Sequence, residues 1–243
     1  MKSISRQKLY KKSPYPIHLA FGHEKIASAL SIVKDQNDKF CLTHRNIHFN
    51  IALSKKDEIK KIIDETLVLK SGINHGKYGC MTMRNKNAGI LYTSSILGNN
   101  ISVGLGIAST LTNDSICWIQ VGDGSIEEGA FYEALHFAVS RKLRVIFLLE
   151  DNNWSLGTSI IERRYNFNIA KLAKSLNVSY ILIPRNCKDL FFLAKFQIAR
   201  LCCLEFSKPL ILHIQTRTLG VDDQSQHPRQ YVSYHHGTLP CEQ

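Results

Sequence analysis

The segment 116–158, ICWIQVGDGSIEEGAFYEALHFAVSRKLRVIFLLEDNNWSLGT, decides the fold class. Two apolar runs rich in β-branched residues, 116–121 and 145–149, are separated by a stretch with helical periodicity. This pattern predicts a βαβ unit, in which two parallel strands end side by side at one edge of a sheet. Residues 168–215 continue to alternate between helical and strand patterns. We therefore predict an α/β fold built on a doubly wound parallel sheet.

Polar residues follow both strands of this unit. Gly-Asp-Gly at 122–124 and Asp-Asn-Asn at 151–153 bring Asp123 and Asn152 to the edge where open α/β sheets bind ligands. The capping-box pattern Ser-Ile-Glu-Glu at 125–128 predicts the first turn of the intervening helix, whose amino end favours an anion. One carboxylate, one amide oxygen and a backbone carbonyl suit a magnesium ion held together with a diphosphate. Gly-Asp-Gly alone is also an ordinary turn, so the assignment depends on both motifs together.

Taken together, residues 122–158 resemble the cofactor-binding domain of thiamine diphosphate-dependent enzymes. The resemblance is closest to the α subunit of the dehydrogenase component of 2-oxo-acid dehydrogenase complexes, and it extends over residues 17–240 at the level of the domain. It implies the thiamine diphosphate-binding fold, with thiamine diphosphate and magnesium as cofactors. It also implies that the magnesium ligands are Asp123, Asn152 and the carbonyl oxygen of Trp154.

Upstream segments add cofactor contacts to this resemblance. Segment 41–48, CLTHRNIH, is similar to the stretch that grips the diphosphate, and it makes Arg45 the candidate ligand unless Arg45 is a surface arginine in a turn. His44 and His48 are candidate catalytic residues, with a helix cap or a packed surface histidine as the alternative. Segment 94–102 resembles the part that holds the aminopyrimidine ring. The predicted cofactor-binding residues are His44, Arg45, Ser95, Leu97, Gly98, Gly122, Asp123, Gly124, Ser125, Asn152 and Trp154.

Two positions depart from the family pattern. Thr82 and Val221 stand where the resemblance leads us to expect histidines. Segment 234–240, YHHGTLP, instead resembles the end of a transketolase cofactor domain. Candidate replacements near this segment are His227, His235 and His236. We take His227 as the third candidate catalytic residue, and a poorly ordered, histidine-rich tail is the alternative.

Length and composition favour one sizeable domain. The 243 residues are 44% hydrophobic, which suffices for one α/β domain but not for a complete two-domain thiamine enzyme. We predict a basic amino-terminal tail at 1–16, a single thiamine diphosphate-binding domain at 17–220 and a carboxyl-terminal extension at 221–243. Segments 96–105 and 131–137 are expected to expose an apolar surface that a partner covers.

Charge and cysteine usage narrow the class of protein further. The net charge of +11 raises the hypothesis of nucleic-acid binding, but the basic residues are dispersed except at 2–12 and 55–61, which favours a solvated or partner-facing surface. The seven cysteines are odd in number and form no Cys-x-x-Cys pair, which indicates reduced thiols. No signal peptide or membrane-spanning run is present in the sequence, so we expect a soluble, cytoplasmic protein.

The resemblance implies a subunit that needs a second chain. In that family the glutamate that activates the aminopyrimidine comes from a separate pyrimidine-binding domain. We expect the α-type subunit of a 2-oxo-acid dehydrogenase-like, decarboxylating oxidoreductase. It would act with a β-type subunit on a small-molecule carbonyl substrate, as a dimer or an α₂β₂ assembly. The alternatives are the amino-terminal subunit of a split transketolase-like transferase and a catalytically inactive scaffold.

Overall fold

A sheet of six parallel strands forms the centre of the computed structural model, which describes residues 17–112, 114–155 and 157–218. In chain order the strands are β1 (Lys39–Thr43), β2 (Ile90–Ser94), β3 (Cys117–Gly122), β4 (Val145–Asp151), the two-residue strands β5 (Trp154–Ser155) and β6 (Thr158–Ser159), β7 (Ser179–Ile183) and β8 (Leu210–Gln215). Strands β5 and β6 form a separate antiparallel ribbon. Across the sheet the order is β2-β1-β3-β4-β8-β7. The chain moves outward from β1 in both directions, which confirms the predicted doubly wound sheet.

Helices cover both faces of the sheet. They are α1 (Glu24–Val33), α2 (Ile47–Leu53), α3 (Ile59–Thr66), α4 (Asn99–Ala108), α5 (Gly129–Ser140), α6 (Ile160–Arg163), α7 (Ile169–Ser175) and α8 (Asp189–Phe206). Short 3₁₀ turns occupy Lys56–Glu58, Lys86–Ala88 and Ser125–Glu127. The helices and strands predicted for residues 168–215 are present as α7, β7, α8 and β8.

Two hydrophobic cores follow from the alternation of side chains along the strands. Helices α1, α2 and α8 pack on one face, where Trp118 and Ile146 are buried. Helices α4, α5 and α7 pack on the other face, where Ile119 and Phe147 are buried. Successive residues of β3 and β4 thus enter opposite cores, which is why both strands read as unbroken apolar runs. The Nε1–H group of the fully buried Trp118 donates to Asp38 at 3.0 Å.

Strands β3 and β4 pair in register, so that Cys117 lies beside Val145 and Gly122 beside Glu150. Their carboxyl ends therefore coincide. The residues that leave these ends, Asp123 and Asn152, start from adjacent positions at the same edge of the sheet, as predicted from the βαβ pattern.

The predicted capping box at 125–128 is wrong. Ser125–Glu127 forms a 3₁₀ turn, and α5 begins only at Gly129, with an extended Glu128 as its N-cap and no side-chain cap. Ser125 is buried, which removes it from the helix start. A capping box occurs instead at Ser159. The Glu162 carboxylate accepts from the backbone N–H group of Ser159, and the Ser159 side chain accepts from the backbone N–H group of Glu162.

The predicted apolar surface is present only in part. Ile101, Leu105, Phe131 and Leu135 are buried in the core beneath α4 and α5, because both helices pack on the sheet. The exposed large apolar side chains in the two segments are Ile96, Leu97 and Phe137, with exposed fractions of 69%, 47% and 42%.

A single carboxylate shapes the glycine-rich loop after α3. Glu65 is fully buried, and its oxygens accept hydrogen bonds from the backbone N–H groups of Asn74, Gly76, Tyr78 and Gly79 at 2.8–3.1 Å. Gly76 has φ +69, a conformation that side chains rarely adopt. Thr82 lies at the end of this loop, and its hydroxyl donates to the carbonyl oxygen of Tyr78.

Cysteines and helix lengths agree with the expectations where the structure describes them. Six cysteines in the described ranges carry free thiols, in line with the predicted reduced state. In those same ranges, no helix combines the length and the apolar character needed to cross a membrane.

Two glycines of α4 provide a test of the packing. A Cβ atom at Gly104 would lie 2.5 Å from Cδ1 of the buried Ile119, whereas one at Gly106 would meet nothing within 4 Å. We expect Gly104→Ala to destabilise the protein by about 1–3 kcal/mol through overpacking. Gly106→Ala, the matched control, is expected to stabilise it by about 0.5–1 kcal/mol through helix propensity. Urea denaturation measures both.

The double variant Gly104→Ala/Ile119→Val removes Cδ1, one of two Ile119 atoms that a Cβ at Gly104 would meet, and leaves Cγ1 at 2.7 Å. It is expected to cost less than the sum of its two single substitutions. Equal stability of the two single variants would contradict the close contact between α4 and β3.

Candidate functional site

A crevice of about 250 Å³ lies at the carboxyl ends of β1, β3 and β4. Its lining contains His23, Thr43, His44, Arg45, Ser95, Leu97, Gln120, Gly122, Asp123, Gly124, Ser125, Glu150, Asn152, Trp154 and Ser155. The structure thus brings together every predicted cofactor-binding residue except Gly98, which follows Leu97 as the N-cap of α4 with φ 75. Residues more than a hundred positions apart in the chain converge here because parallel strands end at one edge.

Asp123 is the acidic centre of the crevice. Its side chain is 4% exposed, and one of its carboxylate oxygens accepts a hydrogen bond from Nη2 of Arg163 at 2.5 Å. Burial and the neighbouring Asp151 carboxylate raise the pKa of Asp123 to about 7, against the opposing effect of Arg163. An ionised carboxylate that is buried away from water is costly unless a cation lies beside it.

Arginines on and after α6 supply that positive charge. Arg163 Nη1 also donates to Glu127 at 2.6 Å, and Nε of Arg164 lies 3.2 Å from the same Glu127 oxygen. The side chains of both arginines are 9% exposed. Neither residue was predicted from the sequence. The available signal was the Ser-x-x-Glu pattern at 159–162, which begins α6 and so places its last residue, Arg163, close to Asp123.

Asn152 is held in a defined orientation. Its Oδ1 accepts from the backbone N–H group of Trp154 at 3.1 Å, and its Nδ2 donates to Thr218 Oγ1 at 2.7 Å. An amide oxygen has two lone pairs, so Oδ1 retains one acceptor position for a cation. Trp154 itself belongs to the short ribbon β5–β6 and lines the crevice.

A hydrogen-bond network ties the floor of the crevice together. Gln120 on β3 accepts from the N–H group of Thr43 at 2.9 Å and donates to Glu150 on β4 at 3.0 Å. His23 Nδ1 lies 2.5 Å from the other Glu150 oxygen, and His23 Nε2 lies 2.9 Å from Thr218 Oγ1. Burial would raise the pKa of Glu150, but the hydrogen bonds from His23 and Gln120 hold that pKa below its ordinary value. Four residues of this network were not predicted from the sequence as part of the site: Glu150, Gln120, His23 and Thr218.

Asp151 is held by a second set of contacts at the same edge. Its Oδ2 lies 2.9 Å from His213 Nε2, and His213 Nδ1 lies 2.8 Å from Tyr180 Oη. Its Oδ1 accepts from the backbone N–H group of Asn153, which has φ 67. The loop that carries Asn152 is therefore anchored on both sides by buried polar groups.

Arg45 and His44 follow β1 into the crevice. Nη1 of Arg45 donates to the carbonyl oxygen of Leu19 at 2.7 Å, and the ring of His44 packs edge-on against His18 with centroids 5.0 Å apart. The hydrogen bond to Leu19 thus holds the Arg45 guanidinium in place, and Arg45 borders the space that an anion would occupy.

His48 lies behind the crevice. Its ring packs on Phe49, with centroids 4.2 Å apart, and borders a second, largely apolar cavity of about 270 Å³ beside Phe21 and Ile51. Both ring nitrogens are buried and have no hydrogen-bond partner among the described residues. Burial lowers the pKa of His48 to about 4, so that the ring is neutral at pH 7. The catalytic candidate His227, along with His235, His236 and Val221, lies outside the described residues.

The donor set fits a magnesium ion bound together with a diphosphate. The described residues contain no cluster of three or more His, Cys, Asp or Glu side chains that could hold a metal alone. The crevice offers one buried carboxylate and one oriented amide oxygen, and magnesium accepts such a sparse set when phosphate oxygens and water complete its octahedron. A Cβ atom at Gly124 would lie 2.2 Å from Ser155 Oγ, so only glycine fits at that point of the lining.

The chain is similar in sequence to proteins of a known family. The family model described as dehydrogenase E1 component matches residues 2–233. The chain is 29% identical over 202 residues to the pyruvate dehydrogenase E1 component subunit alpha of Rickettsia conorii, which covers 82% of this chain and 61% of the relative. It is 33% identical over 146 residues to the protein of the same name from Zymomonas mobilis, which covers 59% of this chain and 41% of that relative. The chain thus spans about three fifths or less of the length of these curated relatives.

A solved structure of a putative thiamin diphosphate-dependent enzyme from Mycobacterium smegmatis has the same fold. The TM-score is 0.52 at 12% sequence identity, and the match covers 82% of this chain and 34% of the other. At this identity the likeness concerns the fold alone.

The burial of His48 leads to a prediction for acid stability. The unfolded chain binds a proton at this ring near pH 6.5, whereas the folded chain does so only at about 4. Stability should therefore be lost as the pH falls from about 6.5 through 4, by up to about 3 kcal/mol from this group. We expect His48→Leu to flatten that part of the pH profile in urea denaturation.

His136 is exposed and provides the matched control. The variant His136→Leu should keep the wild-type slope between pH 6.5 and 4. If His48→Leu also keeps that slope, the ring is not held neutral by burial.

Proposed function

The chain belongs to the dehydrogenase E1 component family, and from that premise we propose that it is the α-type, diphosphate-binding subunit of a thiamine diphosphate- and magnesium-dependent 2-oxo-acid dehydrogenase. The observation that supports this best is the convergence of Asp123, Asn152 and Arg45 on one crevice at the carboxyl edge of the sheet. A buried carboxylate, an amide oxygen and a guanidinium are the groups required to hold a metal-bound diphosphate.

In this proposal Asp123, Asn152 and the carbonyl oxygen of Trp154 bind magnesium. Gly122 and Gly124 would let the backbone come close to the diphosphate. At Gly124 a side chain is also excluded by Ser155, whose Oγ would lie 2.2 Å from a Cβ atom. Arg45 neutralises phosphate oxygens from the β1 side of the crevice. Thiamine diphosphate, when bound, supplies a nucleophilic ring carbon and an electron sink for cleavage of a carbon–carbon bond beside a carbonyl group.

The remaining residues of the crevice orient these groups. Ser95 and Leu97 line the side on which the aminopyrimidine ring would be held, and Gly98 follows them as the N-cap of α4. The network through Glu150 and His23 fixes Thr218, which in turn fixes the amide of Asn152. His44 stands next to Arg45 at the mouth of the crevice and is the histidine in the described chain that we propose to meet diphosphate or substrate. His48 would serve only to support His23, whose ring it contacts edge-on.

We propose that the active assembly includes a β-type subunit that carries the pyrimidine-binding domain. Ile96 and Leu97 are exposed beside the crevice, where their apolar side chains would be covered by a second chain. We further propose that the chain associates with itself as a dimer or within an α₂β₂ assembly. We also propose a cytoplasmic location. The proposed substrate class is a small 2-oxo acid. The transketolase-like alternative stays a prediction, because its motif at 234–240 lies outside the described residues. The inactive-scaffold alternative also stays a prediction. It depends on Thr82 and Val221, and Val221 lies outside the described residues.

Removal of the Asp123 carboxylate tests the cofactor assignment. We expect Asp123→Ala to abolish the magnesium-dependent binding of thiamine diphosphate in titration calorimetry, because it removes the one charged metal ligand. Asn152→Ala should weaken binding less, since water replaces a neutral oxygen ligand more easily than a charged one. Asp114→Ala removes an exposed acid and is the matched control. Unchanged binding by a folded Asp123→Ala variant would sink the assignment.

The need for a partner gives a second prediction. Without a facing carboxylate from a pyrimidine-binding domain, general acid–base assistance at the aminopyrimidine is missing, which typically costs about 10² to 10⁴ in rate. We expect the purified chain alone to bind the cofactor but not to exchange its ring proton for deuterium rapidly, and co-expression with a β-type chain to restore exchange. Rapid exchange by the chain alone contradicts the two-chain proposal.

A further inference from the structure

The guanidinium of Arg163 lies next to the proposed metal ligand Asp123. The guanidinium of Arg163 bridges Asp123 and Glu127, with N–O distances of 2.5 and 2.6 Å. The Asp123 side chain is 4% exposed and that of Arg163 is 9% exposed, so both charges are withdrawn from water. No magnesium contact is needed to account for this arrangement, because the ion pair satisfies the carboxylate by itself.

Arg163 is held by the same segment that carries the other proposed ligands. Asn152 and Trp154 lead into the ribbon β5–β6, and α6 follows directly with Arg163 as its last residue. The Glu162 carboxylate accepts from the backbone and hydroxyl of Ser159, which anchors the start of this short helix. Nε of Arg163 donates to the Thr158 carbonyl oxygen at 3.3 Å. A change at Arg163 is thus linked to the loop of Asn152.

The ion pair and a metal compete for the same carboxylate. Arg163 donates to one oxygen of Asp123, and a magnesium ion on either oxygen would place a second positive charge beside the guanidinium in a site withdrawn from water, where like charges repel strongly. Glu127 gives Arg163 another place to go. Because Arg163 already contacts Glu127 through Nη1, its Nη2 can leave Asp123 without leaving a buried charge unpaired.

We propose that Arg163 is the resident counter-cation of Asp123, and that the divalent metal binds by displacing Arg163 onto Glu127. The inference rests on the proposed function, because it concerns the same metal site. Its consequence is that the apparent affinity for the metal equals the intrinsic affinity multiplied by the fraction of molecules in which Arg163 has left Asp123. Arg163 keeps the site charge-balanced before the cofactor arrives, and Glu127 provides the acceptor that makes the exchange possible.

The test compares variants that move metal affinity in opposite directions. Manganese replaces magnesium as the probe, and its free concentration is measured by electron paramagnetic resonance with the full chain and saturating thiamine diphosphate. The measurement is made at pH 8 for all variants. Arg163→Gln should bind manganese about ten- to a hundredfold more tightly than the wild type, the size of one lost charge-assisted hydrogen bond. Glu127→Gln should bind it more weakly, because Asp123 is then the carboxylate that remains to pair with Arg163, which also keeps its contact with the Thr158 carbonyl oxygen.

The double variant Arg163→Gln/Glu127→Gln separates this exchange from simple charge effects. Without Arg163 there is no guanidinium to pass from Asp123 to Glu127, although Arg164 still lies 3.2 Å from Glu127. The double variant should therefore bind manganese as Arg163→Gln does. Arg163→Lys retains the charge but not the two-pronged bridge, and it should give a smaller gain. Arg185→Gln, at an exposed arginine, is the matched control and should equal the wild type.

The outcomes distinguish the two proposals. If the wild type binds manganese through Asp123 and neither Arg163→Gln nor Arg163→Lys binds more tightly, the displacement model is overturned while the proposed function stands. If the wild type and Asp123→Ala bind equally little manganese with the cofactor present, the proposed function itself fails. The displacement of Arg163 is supported if Arg163→Gln binds manganese more tightly than the wild type and the double variant binds it as tightly as Arg163→Gln does.

Discussion

The crevice depends on one buried carboxylate, Glu150, at the end of β4. It receives hydrogen bonds from Gln120 on the neighbouring strand and contacts His23 at the start of α1, so three elements meet at one ionised group. Gln120 continues the network to β1, and His23 continues it to Thr218 and Asn152. An unpaired carboxylate at this depth would be costly, so these partners must stay in place together. The orientation of the amide of Asn152 is therefore a property of the whole sheet edge.

Charge balance is the second constraint at this edge. Asp123, Asp151 and Glu150 lie close together at the ends of two adjacent strands, and each has a basic partner: Arg163, His213 and His23 respectively. The pairing is uneven, since burial raises the pKa of Asp123 while hydrogen bonds hold the pKa values of Asp151 and Glu150 below their ordinary ranges. Asp123 is thus the acid whose ionised form has the greatest need for an additional cation.

The sequence was sufficient for the sheet and for the convergence of Asp123 and Asn152 at its edge, because both follow from local patterns. Apolar runs and the polar residues after them determine where β3 and β4 end, and parallel pairing makes Asp123 and Asn152 neighbours. It was not sufficient for His23 and Thr218, which meet across 195 positions, since no local pattern records such contacts. The capping-box motif occurred twice, and burial of Ser125 decided which copy caps a helix.

The placement of the two tryptophans has an optical consequence. Trp118 is sealed in the core and hydrogen-bonded to Asp38, whereas Trp154 is partly exposed at the lining of the crevice. These are the two tryptophans of the chain. Near-ultraviolet emission therefore has one constant component from the interior and one component that senses polarity and contact in the crevice. Replacement of Trp118 by phenylalanine leaves a chain whose tryptophan fluorescence comes from a single indole at the site.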